Sequence, residues 1–516
     1  MARGPRKRRQ APEIVAAIDL GSNSFHMVVG RQQHGSLKVL DRIKEMVRLG
    51  GGLDQHGELS TDAIERAMGC LERFGQRVRE LPRGAVRAVG TNTLRNAVNA
   101  REFMRGAEGA LGHPIEVVSG IEEARLVYLG VADGMADDGL RRLVVDIGGG
   151  STELIVGARH EPRLMDSLEM GCVSISQRFF GNDKYGKSSV GGARQLIQQE
   201  LEPVERAFRG GGWEQAVGTS GTIRAVQAVI QAQGWSEGPI TAEALERTVK
   251  AVLKAGSLKG LDLKGLGGDR APVFIGGLLV LEGVFRSLQI EAMEVSEGAL
   301  REGLLYDLLG RFTAEDVRDR TVAALATRYH VDAEQAANVR ATALDFLAQL
   351  GDDWSLDQDA EQWLSWAAQL HEIGLDIAHS QYHKHGEYIV RHADMAGFSQ
   401  RDQLILSTLI RTHRRKLNRS LFKELPDSLQ QTVSRLAVLL RLAVVLHRGR
   451  PSGGVPAMSL QLASGDRLSL EVGRDWYRKH PLVRADLEEE ARYLAGLDIA
   501  FDFETPNGDH TSSAFS

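Results

Sequence analysis

Two short stretches of the chain end an apolar run on a carboxylate and follow it with glycine and serine. Ile18-Asp19-Leu20-Gly21-Ser22-Asn23-Ser24 and the six residues after it align, without a gap, with Val145-Asp146-Ile147-Gly148-Gly149-Gly150-Ser151 and the six residues after that. A carboxylate at the end of a buried strand must stay solvated or meet a cation. Glycines beside it let backbone N–H groups approach an anion closely, because no Cβ intervenes. The pair therefore suits a metal-bound phosphate held between two loops, with Asp19, Gly21, Ser22, Asn23 and Ser24 on one side and Gly148, Gly149 and Ser151 on the other. Glu153 stands across its turn from Asp146, so both carboxylates can serve one Mg²⁺, which takes one or two carboxylates plus phosphate oxygens. His26 occupies the matching position in the first copy.

Each copy reads as a β-hairpin. A second matched pair follows at almost the same offset, Ala88-Val89-Gly90-Thr91-Asn92-Thr93-Leu94-Arg95 against Ala216-Val217-Gly218-Thr219-Ser220-Gly221-Thr222-Ile223-Arg224, with one residue inserted. Each is a short strand, a Gly/Thr turn and a segment turning helical, from Leu94 to Phe103 and from Ile223 to Ile230. Two pairs in the same order indicate two homologous α/β halves, and facing halves leave a cleft for a ligand. Arg95 is placed to clamp a phosphate, or stands as a solvated helix arginine.

A water attacking that phosphate needs a base. Val117-Val118-Ser119-Gly120-Ile121-Glu122-Glu123-Ala124 reads as a strand running into a helix that begins at Ser119. Ser119 and Glu122 have capping-box spacing, which assigns Glu122 to the first helical amide. Glu123 is left at the cleft mouth, as a proton acceptor or as a solvated acid in the first turn.

These elements need a large scaffold. At 516 residues the chain exceeds one hydrophobic core and predicts three to four domains. An apolar fraction of 42% and a charged fraction of 25% are those of a globular protein. The longest apolar runs are broken by charge or glycine, so no transmembrane segment is expected. The basic stretch Arg3 to Arg9 lacks the apolar region of a signal peptide and reads as a disordered arm. Cys70 and Cys172 stand far apart, which argues against disulfides and thiolate zinc and fits a reducing cytoplasm. A net charge of −5 leaves the attraction of an anionic substrate to local cations and metal.

The combination resembles the exopolyphosphatase/guanosine pentaphosphate phosphohydrolase family of the sugar kinase–Hsp70–actin superfamily. It is carried by the Asp19, Gly90–Arg95, Ser119–Ala124 and Asp146–Glu153 motifs, with Met170-Gly171-Cys172-Val173 and Gly218-Thr219-Ser220-Gly221-Thr222. The resemblance implies duplicated actin-like (ribonuclease H-like) α/β domains and Mg²⁺-dependent hydrolysis of terminal phosphates from inorganic polyphosphate. It places the general base on Glu123, metal on Asp146 and Glu153, and phosphate on both loops and on Gly218 and Ser220. Within the family, Gly-Gly-Gly-Ser at 148–151 looks like the polyphosphatase branch, since the guanosine pentaphosphate branch carries Gly-Gly-Ala-Ser.

From Thr313 the pattern turns helical. Leu370-His371-Glu372-Ile373-Gly374, with His379, His383, His385, His392 and His413, resembles an HD-type phosphohydrolase domain whose His-Asp pair has become His-Glu. That departure implies lost catalysis and a role in substrate binding and dimer contacts. Arg414, Arg415 and Lys416, with His385, form a basic track suited to a polyphosphate chain, or a solvated cationic helix end. Ser459 to Val472 alternates around Ser464-Gly465-Asp466 as a hairpin, and a charged helix near Leu482 to Leu494 and a strand from Leu497 to Phe503 follow.

The expected organisation is a basic arm (1–10), two actin-like domains (11–138 and 139–312), an all-α HD-like domain (313–447), a small α/β C-terminal domain (448–504) and a disordered tail (505–516). The expected function is a cytoplasmic, homodimeric exopolyphosphatase without nucleic-acid partners, peripheral membrane contact being left open. The alternatives are a guanosine pentaphosphate 5′-phosphohydrolase and, in a different class, a nucleotide-dependent switch of the actin/Hsp70 type.

Overall fold

The structure is a computed structural model that describes residues 12–33, 36–82, 84–135, 138–311, 316–450, 455–463 and 467–504. The basic arm, the C-terminal tail, the turn at 464–466 and the expected boundary at 312/313 lie outside the described residues. The chain divides into two compact units, 1–316 and 317–516.

The first unit holds the duplication. In its first half, β1 (Ile14–Leu20), β2 (Phe25–Gln33) and β3 (Ser36–Glu45) form an antiparallel meander. Helix α1 (Thr61–Val78) leads to β4 (Val86–Gly90), then α2 (Asn92–Asn96), α3 (Ala100–Leu111), β5 (Ile115–Val117) and α4 (Gly120–Asp133). The sheet order is β3-β2-β1-β4-β5. The second half repeats it with β6 (Arg141–Ile147), β7 (Thr152–Ala158) and β8 (Glu161–Leu168), then α5 (Cys172–Phe180), α6 (Lys187–Arg209), β9 (Gln215–Thr219), α7 (Ser220–Ala232), β10 (Ile240–Thr241), α8 (Ala242–Ala255), α9 (Ala271–Leu288), β11 (Ala292–Val295) and α10 (Leu300–Gly310). Its order, β10-β11-β9-β6-β7-β8, is the first sheet with one strand added at the edge.

The register carries the repeat to single residues. Asp19 lies opposite His26 on the β1–β2 hairpin, and Asp146 lies opposite Glu153 on β6–β7. In both halves the strand that follows by crossover, β4 or β9, pairs in parallel with the first. Val15 and Ala17 of β1, Val89 of β4, Val144 of β6 and Val217 of β9 join the apolar side chains of α4 and α10 in one buried cluster. The cleft between the halves thus opens over a continuous core.

One expected helix is interrupted. The run from Leu94 breaks between Asn96 and Ala100, where the Asn99 side chain accepts from the Leu59 amide at 2.9 Å and donates to its carbonyl at 3.1 Å. That long-range pin satisfies backbone groups across 40 residues and outweighs continuation of one short helix.

The second unit packs α11 (Val317–Arg328), α12 (Ala333–Leu350), α13 (Gln358–Leu370), α14 (Tyr382–His392), α15 (Gln400–Thr412) and α16 (Asp427–His447) with a three-stranded sheet. In that sheet β12 (Ser459–Ala463) pairs antiparallel with β13 (Arg467–Glu471), and β13 pairs in parallel with β14 (Ala500–Glu504). Leu460, Leu468, Leu470, Phe501 and Phe503 share one core with Leu436, Leu440 and Phe346 of the helices. The last strand begins at Ala500, not Leu497, because a short 3₁₀ turn over Ala495–Leu497 follows the preceding helix. Helices α9 and α16 have the length and hydropathy of membrane spans, but 67% and 56% of those stretches are buried inside their own units.

Candidate functional site

The two Asp loops meet. Gly149 leaves room for the Ser22 side chain, whose Cβ would stand 2.8 Å from a Cβ added at 149. Gly148 and Gly149 are tied to the start of α5, their carbonyls accepting from the Cys172 and Val173 amides at 2.9 and 2.8 Å. The resulting cleft, about 110 Å³, is lined by Asp19, Gly21, Ser22, Asn23, Ser24, Glu123, Asp146, Gly148, Gly149, Ser151, Glu153 and Ser220. These are most of the residues that the motifs single out. Gly218 is not among them: its free face packs against Met293 and Ile223, so it serves the β9 core instead. Ser220 begins α7 with φ +82°, a conformation a side chain adopts only at a cost. Its hydroxyl donates to the Ile147 carbonyl at 2.8 Å, which over-determines that turn.

The carboxylates in the cleft are crowded and short of partners. Asp19 Oδ1 and Asp146 Oδ1 are buried with no hydrogen-bond partner. Burial, with Glu123 and Asp146 adding repulsion against the pull of Arg301, pushes Asp19 up to about 8. Burial and the charge of Glu123 push Asp146 up to about 6, against the pull of Arg224 and Arg301. Glu153 is raised well above the ordinary carboxylate range by burial and by Glu123 and Asp146. Its Oε1 accepts from the Ser167 hydroxyl at 2.9 Å. Orphaned hard-oxygen donors in mutual repulsion fit a hard divalent cation.

Glu123 projects into this cleft from the first turn of α4. Burial raises its pKa, and Arg95 opposes the rise by donating to Oε2 at 2.7 Å. Arg95 also holds the Val118 carbonyl at 3.1 Å, so it binds the base before any phosphate. The expected capping box is only half made. Ser119 accepts from the Glu122 amide at 3.2 Å, but the Glu122 carboxylate turns inward to Arg125, at 2.7 and 2.8 Å. A bidentate guanidinium outweighs a neutral amide as partner.

His26 differs from its twin Glu153 in kind. Arg301, always a donor, contacts Nδ1 at 2.8 Å, so the ring proton sits on Nε2 and faces the Ser24 hydroxyl at 2.8 Å. Burial and Arg301 hold this imidazole neutral, down to about 2.

Beside the cleft lies a chamber of about 460 Å³, and His26, Gly221, Arg224, Arg270 and Arg301 border both. Arg42 and Lys44 complete a cationic wall, with the partly exposed Ile43 and Ala225 as apolar surface, while the Met27 and Val28 side chains are buried in the core. A side chain at Gly221 would overlap the Arg270 guanidinium, so this glycine admits the arginine. Sequence reasoning missed these cations. Arg224 was within reach, being the repeat partner of Arg95. Arg270 comes from the segment before α9, and Arg301 from α10, which follows β11 as α4 follows β5 but shares no matched motif that the sequence reading used.

In the second unit, Arg414, Arg415 and Lys416 line a cavity of about 620 Å³ with His379, His383, Lys384 and Arg411. His385 is not on its wall; the neighbouring Lys384 is. Glu372, in the place of the HD aspartate, is held by Arg450 at 2.9 and 3.1 Å. Among the described residues no group of three or more His, Cys, Asp or Glu side chains is arranged to hold a metal. That geometric finding includes the cleft, where a cation would rely on one or two carboxylates and on substrate oxygens.

Residues 28–312 match the Ppx/GppA phosphatase family, and residues 317–491 match Ppx/GppA phosphatase, domain III. A guanosine-5′-triphosphate,3′-diphosphate pyrophosphatase of Vibrio cholerae is 42% identical over 93% of this chain and 95% of its own length. One from Vibrio vulnificus is 40% identical over the same shares. Among solved structures, an exopolyphosphatase-like protein shares 27% identity and a TM-score of 0.53 over 58% of this chain and 100% of its own. An exopolyphosphatase from Cytophaga hutchinsonii shares 26% and 0.53 over 57% of this chain and 97% of its own.

These relatives correct the exopolyphosphatase expectation, since the long, closer matches bear the guanosine name. The expectation rested on Gly150, and the structure supplies that glycine with another cause. A Cβ at 150 would meet the Asn92 side chain amide, so local packing also bears on this position.

Proposed function

The chain belongs to the Ppx/GppA phosphatase family, and from that premise we propose that it hydrolyses guanosine 5′-triphosphate,3′-diphosphate at the terminal 5′-phosphate. Water cleaves the β–γ anhydride, giving guanosine 5′-diphosphate,3′-diphosphate and orthophosphate. The observation that carries this reading is the basic chamber opening from the carboxylate cleft. A phosphate in the cleft leaves the rest of a nucleotide to occupy about 460 Å³ walled by Arg42, Lys44, Arg224, Arg270 and Arg301. Those cations suit a nucleotide with a second diphosphate, and the partly exposed apolar side chains of Ile43 and Ala225 suit a base or ribose.

Glu123 accepts the proton of the attacking water, and its raised pKa makes it a better acceptor than an exposed glutamate. Arg95, drawn to the incoming phosphate, ceases to oppose that rise. Backbone amides of the two loops and Ser22, Ser24 and Ser151 hold the phosphate oxygens in line. We assign Mg²⁺ to Asp146 and Glu153, because Asp146 Oδ1 is buried without a hydrogen-bond partner and Glu153 stands opposite it on the hairpin. When bound, it neutralises the negative charge that gathers on the transferred phosphoryl group.

The test is orthophosphate release by the purified full chain from guanosine pentaphosphate, GTP and long-chain polyphosphate. The pentaphosphate should be the preferred substrate by kcat/KM. Faster turnover of GTP or of polyphosphate would overturn the reading.

A further inference from the structure

Behind Glu123, away from the cleft, lies a second group of charges that the reaction does not touch. Arg125 holds Glu122 with both donors and also reaches Asp307 of α10. Arg87 of β4 joins Asp307, Glu122 at 3.4 Å and Glu116 at 3.2 Å. Arg311, one turn beyond Asp307, reaches it at 3.3 Å and Glu116 at 3.5 Å. Arg87, Glu122, Arg125 and Asp307 are buried. Burial alone would raise Asp307, but Arg125, Arg87 and Arg311 outweigh it and hold the carboxyl far below its ordinary range.

The two helices touch at backbone level along the same face. A Cβ at Gly130 would overlap the Ala299 carbonyl, and one at Gly303 would overlap the Leu126 carbonyl. Helix α4 carries Glu123 in its first turn, and α10 carries Arg301 in its first turn, on the wall shared by cleft and chamber.

We propose that Asp307 and Glu122, which do not line the cleft, are positioning residues: through Arg125 and Arg87 they lock α4 to α10 and so fix the reach of Glu123 relative to Arg301. Glu123 then meets the attacking water at a geometry set from behind, while Arg301 faces the nucleotide. A glutamate on the first turn of a helix otherwise has freedom to follow solvent, and small misplacement of a base is costly.

This inference rests on the hydrolase reading above with Glu123 as base. Asp307→Asn keeps the shape and removes the charge. In the full chain it should lower kcat for guanosine pentaphosphate by about 10- to 100-fold, with KM moving far less, since the chamber cations remain. Glu122→Gln should behave alike. The double variant should be no slower than the slower single, because both changes release the same lock. Wild-type kcat in soluble Asp307→Asn protein, or losses that multiply, would overturn the proposal.

Hydrogen exchange on the wild-type chain decides the case if the variant does not fold. Guanosine tetraphosphate, the proposed product, should protect α4 and α10 amides together; protection of one helix alone would overturn it. A wild-type protein that fails to turn over the pentaphosphate would instead sink the functional reading itself.

Discussion

Arg95 and Glu123, 28 residues apart in sequence, form a largely buried ion pair 2.7 Å long at the edge of the phosphate cleft. A cation that binds the base keeps it ionised and weakens it, so its release and the arrival of phosphate are coupled events. Removing it should expose the effect of burial alone. In Arg95→Gln the Glu123 pKa rises further, and the acidic limb of the pH–rate profile should move up by about one pH unit or more. An unmoved limb would mean that another group sets the profile.

Glu123→Ala should remove turnover by about 100-fold or more while leaving nucleotide binding within a few-fold. Binding is read by calorimetry with guanosine tetraphosphate. Retained hydrolysis would show that a different group activates water.

Asp19 and Asp146 tie stability to pH and metal. Their folded pKa values, about 8 and about 6, lie above the ordinary value of 3.8, so the folded chain binds more protons than the unfolded one across that interval. Stability from this source is complete below about pH 4 and is lost as pH rises through 6 and 8. Without divalent cations, Tm should therefore fall from pH 5 to pH 9 by a share that Asp146→Asn reduces. Added Mg²⁺ should raise Tm more at pH 8 than at pH 5. An equal rise at both values would place the ion elsewhere.

Gly221→Ala should push Arg270 out of its seat and raise KM for guanosine pentaphosphate by about tenfold, with less effect on kcat. Steady-state kinetics at two salt concentrations check the assignment, because a lost phosphate contact also flattens the salt dependence. Unchanged KM would remove Arg270 from the substrate wall.

Gly150→Ala is the complementary case. The added methyl must displace Asn92, so activity should fall, yet the ratio of kcat/KM for pentaphosphate over polyphosphate should hold. A shift in that ratio would return substrate meaning to the residue.

The internal repeat made the twin hairpins, their register and the cleft legible before any coordinates, because each is set by local pattern. Glu123 was reachable by elimination, although its neighbour was misread. The S-x-x-E spacing is real, but spacing does not show that Arg125, Arg87 and Asp307 compete for the same carboxylate. The chamber was hidden for a related reason. Its cations arrive from β3, α7, the segment before α9 and the start of α10, and only folding brings them together. Gly150 misled because a side chain's absence has several causes, and the neighbouring Asn92 adds one that the sequence does not show.

The facing pairs Asp19–His26 and Asp146–Glu153 also bear on descent. Two identical hairpins would present the same carboxylate pair from each side and could not tell one end of a substrate from the other. Once both copies sit in one chain, each can mutate alone. An imidazole in one copy facing a carboxylate pair in the other gives the cleft a direction, with two unlike ends.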